Sequence, residues 1–141
     1  MPNTSLVKAT QDVLAAIHAL AALAKTNTAA ATLAAARNHA DEALRALHLA
    51  KEALLLAPLR ESDDIVHHAM ARRTVQQDLE WREHLIAHHA AWPIGALRSD
   101  PQGYRIAAQQ LFRMAERRIA HQDQVLEPMA REAIAAQRRA A

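Results

Sequence analysis

The chain reads as an all-α protein, an up-down-up-down antiparallel four-helix bundle forming one domain over residues 1–141, and three observations carry that reading. Alanine, the strongest helix former, supplies 35 of the 141 residues, whereas two glycines are too few for a sheet protein's hairpins. Apolar residues recur at three- and four-residue intervals, the spacing of one helical face. Turn and proline clusters divide the chain into four pieces of about 20 to 30 residues, the lengths that short loops join into an antiparallel bundle. At 141 residues there is material for one ordinary core.

The first helix is expected over about residues 5–25, with Leu6, Val13, Ile17, Leu20 and Ala24 on one face. Thr26-Asn27-Thr28 follows as a turn with its own cap candidates. The second helix spans about 28–57, aligns Leu33, Leu44, Leu47 and Leu55, and stops at Pro58 for want of an amide proton. Ser62, Asp63 and Asp64 open the third, about 63–92, because a hydroxyl accepts a free amide and carboxylates favour the positive end of the helix dipole. Pro93, Gly95, Ser99 and Asp100 form a loop, and Asp100-Pro101 caps the fourth helix, about 101–137. Trp81 and Trp92 are expected to fill space or cover a helix junction.

Composition excludes several chemistries. Without cysteine there is no disulfide, thiol nucleophile, thiolate metal site or iron–sulfur cluster. Seventeen basic against fifteen acidic residues leave a net charge of +2, a weak footprint for nucleic acid. No apolar run is expected to approach the roughly 18 residues of a membrane span, since Ala43–Pro58 is interrupted by Arg45, His48, Lys51 and Glu52. Met1–Lys8 lacks the pattern of a secretory signal, so the cytoplasm is the expected compartment. Two glycines cannot build a phosphate loop, and Ser5, Ser62 and Ser99 stand where caps are needed. An enzyme is therefore not expected. A core rich in small residues leaves room for an apolar face shared with a second copy, so a homodimer is expected.

Laying the halves over each other at an offset of 70 brings His48-Leu-Ala-Lys-Glu52-Ala-Leu-Leu-Leu56-Ala-Pro58 onto Arg118-Ile-Ala-His-Gln122-Asp-Gln-Val-Leu126-Glu-Pro128. The prolines coincide, and His18 falls on His88. On a helix His48 and Glu52 share a face, and so do His84 and His88, which lets each pair reach one ion. His39, His67, His68 and His89 read as solvated or rim residues.

A helical His, then His-x-x-x-Glu closed by a proline, then the arrangement repeated, resembles the hemerythrin-like family. The resemblance implies a bundle holding two non-haem irons and a role in oxygen carriage, sensing or iron storage. It assigns His18, His48, Glu52 and His88 as ligands, with His84 beside them. Arg118 and Gln122 replace the His and carboxylate expected on the fourth helix, so the implied site is incomplete or lost. Either one transition metal is held by His18, His48, Glu52, His84 and His88, completed by His121, or Arg118 takes the metal's place and pairs with Glu52, with Gln122 nearby. A binding or sensing domain follows, its protein partner unspecified. Two alternatives stand beside it. His48-Leu-Ala-Lys51 is similar to the motif of histidine phosphotransfer modules, which need an exposed His48. A metal-free bundle serving only dimerisation is the other.

Overall fold

The computed structural model describes residues 4–26 and 28–140, and among these the protein is all-α, without a strand. Its helices are α1 (Thr4–Ala24), α2 (Ala30–Lys51), α3 (Ala57–Glu61), α4 (Ile65–Ala91), α5 (Ile94–Ser99), α6 (Pro101–His121) and α7 (Glu127–Ala140). A π turn, Glu52–Leu56, joins α2 to α3, and another, Gln122–Leu126, joins α6 to α7. The described residues thus form five helical rods, two of them running unbroken through a π turn.

Pro58 does not end the second helix, which continues to Glu61. The wide turn absorbs the missing donor: Ala57 N–H reaches back five residues to the Glu52 carbonyl, and the proline falls in the first turn of α3. Glu127 N–H makes the same bond to the Gln122 carbonyl ahead of Pro128. The repeat seen in sequence therefore has a counterpart in backbone geometry at the same offset of 70.

Three junctions differ from expectation. Thr28 does not cap α2, whose N-cap Ala29 has no side-chain bond; Thr26 and Thr28 both donate to the Leu23 carbonyl at 3.0 Å and so satisfy the end of α1. Asn27 lies outside the described residues. Asp64 rather than Ser62 caps α4, accepting from Val66 N–H at 2.8 Å. The expected loop after Trp92 folds into α5, because the Pro93 carbonyl accepts from Ala96 and Leu97 N–H while Leu97 is buried. The cap of α6 is as expected, Asp100 accepting from Gly103 N–H at 3.0 Å with Pro101 in the first turn.

One buried cluster takes Leu6, Val13 and Ile17 from α1, Leu47 from α2, Leu55 and Leu56 from the first π turn, Ala71 from α4, Ile119 from α6, Leu126 from the second π turn and Ala130 from α7. A smaller cluster around Leu33, Leu97 and Tyr104 closes the other end, and Phe112 touches both. Contrary to the expectation of no such run, Ser5–Ala24 is long and apolar enough to cross a membrane by length and composition. Lys8 and Asp12 are its only charges, paired with each other at 2.7 Å. Leu6, Val13, Ile17 and Leu20 are spent on the core, a use that gives a helix the same composition.

Candidate functional site

Between α1, α2, α4 and α6 lies a cavity of about 600 Å³, within the size range of small-molecule sites. Leu44, Leu47, Trp81, Leu85, Ile86 and Ile119 make its apolar wall. Its charges are unequal: Arg45, Lys51, Arg82 and Arg118 stand against Asp41 and Asp78, four cations to two carboxylates.

Asp78 organises one side. Its Oδ1 accepts from Arg118 Nη2 at 2.6 Å and Nε at 3.1 Å, and its Oδ2 lies 2.8 Å from Lys51 Nζ. Arg118 also donates to Gln77 Oε1 at 2.8 Å. Lys51 is buried, and desolvation lowers its pKa despite the opposing pull of Asp78. Two cations thus share one carboxylate, and the cluster carries a surplus positive charge on the cavity wall. Trp81 adds a buried Nε1–H with no protein partner.

At the other side of the cavity Arg37, buried on α2, donates to the Trp92 carbonyl at 2.6 Å and to His89 Nδ1, while His89 Nε2 donates to Asp41 Oδ1 at 3.2 Å. This chain ties α2 to α4, so His89 is a structural relay where a rim residue was expected.

The family-derived ligands do not form a centre. His18, His48 and His84 are exposed. Glu52 pairs with Arg60, which holds its carboxyl below the usual range, first through their hydrogen bond. Arg118 therefore compensates Asp78, where Glu52 was expected. His88 is half-buried against Tyr104, its ring 5.7 Å from the phenol, and burial, helped by His89 and Arg37, lowers its pKa to about 4. Gln122 is buried and donates to Thr10 Oγ1 at 3.1 Å. His121 has a buried Nδ1 without a partner, and its pKa is lowered by burial first and then by Arg118 and Lys51. Among the described residues, the one trio of His and carboxylate groups with ligand atoms within 4.8 Å of one another is Asp64, His67 and Glu132, which includes none of the expected ligands. A di-iron centre on the expected set does not fit this arrangement.

Sequence reasoning missed Asp78 and Arg37 as organisers. The available signal was a lone carboxylate, Asp78, on a helix face otherwise facing the core, which needs a cation from a neighbouring helix. No family model, no characterised protein and no solved structure matches the chain.

Proposed function

We propose that the protein is a binding or sensing domain without enzymatic activity, an up-down-up-down four-helix bundle whose interior takes a small amphipathic organic anion. In this reading the helix order of the hemerythrin-like arrangement is kept, the metal centre is not, and the Lys51–Asp78–Arg118 cluster occupies the interior. One observation carries it: two buried or half-buried cations share a single carboxylate on the wall of a largely apolar cavity. Such a wall favours a ligand with one negative head and an apolar body, because the head meets the surplus charge while the body lies against the apolar wall. Trp81 Nε1–H offers that ligand a further donor. The exposure of His48 is compatible with the phosphotransfer alternative, but Glu52 one turn on, drawn to Arg60, puts a carboxylate near an incoming phosphoryl group.

The test is titration of the full chain with dodecanoate, dodecanol and dodecylammonium, followed by calorimetry and Trp fluorescence. Saturable one-to-one binding of the carboxylate is expected, with Arg118→Gln weakening it by about tenfold or more, the worth of one charge-assisted contact. Equal binding of the alcohol, or no binding of the carboxylate, would refute an anion-selective site.

A further inference from the structure

Apart from the cavity, a second cluster sits where the turn after α3 meets α7. His67, on the first turns of α4, is 4% exposed. Its Nδ1 is engaged by Ser62 Oγ at 2.7 Å, and that oxygen in turn accepts from Asp64 N–H at 3.1 Å. The ring is thereby held with Nε2 facing two carboxylates, Asp64 Oδ2 at 3.8 Å and Glu132 Oε1 at 3.9 Å. Both separations exceed hydrogen-bond length, so Nε2 is aimed at the two oxygens without bonding to either.

We propose that Asp64, His67 and Glu132 form a divalent transition-metal site, with zinc the best-fitting ion. Ligand atoms around a four-coordinate zinc with bonds of about 2.1 Å lie about 3.4 Å apart, so small rotations of the two carboxylates close the observed trio onto an ion. The second shell is already present: a metal-binding imidazole is normally oriented through its other nitrogen, as Ser62 orients His67. Asp64 keeps Oδ1 on Val66 N–H while Oδ2 faces the histidine, so capping and ligation do not compete. One imidazole with two carboxylates suits zinc better than magnesium or calcium, which favour all-oxygen sets. Three protein ligands leave the fourth position to water. Bound metal would staple the start of α4 to α7, joining the two halves of the chain.

The experiment is calorimetric and thermal-shift titration of untagged, chelator-treated full-length protein with zinc, and with magnesium as control. One zinc per chain, a raised Tm and no magnesium response are expected. Glu132→Gln and Asp64→Asn should each weaken zinc binding about tenfold or more, because each removes a charged ligand without changing shape. Asp64→Asn keeps a capping oxygen, and Glu132 is exposed, so both variants should fold. Zinc binding unchanged in both variants would place the metal on other histidines and overturn the proposal. Absence of zinc binding in the parent, with a lower metal-free Tm in Glu132→Gln, would overturn it in favour of a simple ion pair.

Discussion

A single ring shows how burial decides chemistry in this molecule. His88 was expected among metal ligands; its surroundings are Tyr104, His89 and the Arg37 guanidinium. Burial is the largest cause of its fall from 6.5 to about 4, followed by repulsion from His89 and Arg37. The unfolded chain takes up this proton near pH 6.5 and the folded chain only near pH 4, so the group's stabilising contribution is complete above 6.5 and is lost as pH falls towards 4. A shift of that size is worth about 3 kcal/mol at full strength, and screening of a half-exposed ring reduces it to about 1 kcal/mol. His88→Gln should therefore shrink the difference in Tm between about pH 7 and pH 4.5 by roughly 3–6 °C. An unchanged pH dependence in thermal melts would show that another group carries it.

At the scale of the helices, stop signals proved the weakest part of the sequence reading, and the reason is local. Periodicity located α1 and α2, where an apolar face repeats along the helix, whereas caps and breakers located α4 and α6. Pro58 by itself signals a stop, yet its effect depends on whether the preceding turn can widen, a property shared over Glu52–Leu56. Gly95 and Gly103 make a similar contrast, since the same residue type meets open space in one place and close neighbours in the other. A Cβ at Gly103 would run into the Asp100 carboxylate that caps α6 and come within 2.8 Å of the Trp92 ring. Alanine gains about 1 kcal/mol of helix propensity over glycine, but displacing the cap loses about as much and the Trp92 contact adds to it. Gly103→Ala should thus destabilise by about 1 kcal/mol, whereas Gly95→Ala, with nothing within 4 Å, should stabilise by about 0.5 kcal/mol. Urea denaturation of both variants checks the opposite signs; a gain at Gly103 would mean that Asp100 moves aside freely.

Over the whole molecule, the repeat was legible and the site was not, for one reason. Matching prolines and leucines survive in a linear comparison, whereas the partners of Arg118 and Lys51 lie on α4, 40 and 27 positions away, where no local pattern points to Asp78. His67 escaped likewise, because one of the two carboxylates its Nε2 faces, Glu132, lies far along the chain on α7. Duplicated halves can fold as separate units or as one, and the packing decides between them. Leu56 and Leu126, 1% and 0% exposed at equivalent places in the two π turns, belong to one cluster that also holds α1 and α7. Neither half closes that cluster alone, so unfolding should be a single transition. Trp81 packs on the larger cluster and Trp92 on the smaller, while far-UV circular dichroism reports every helix, so the two signals should coincide in urea. Leu56→Ala and Leu126→Ala should each cost about 2–5 kcal/mol, comparable with one another and affecting both signals equally. A fluorescence transition that precedes the loss of helicity would show instead that the second half melts away from the first, and the shared core would not be the unit of stability.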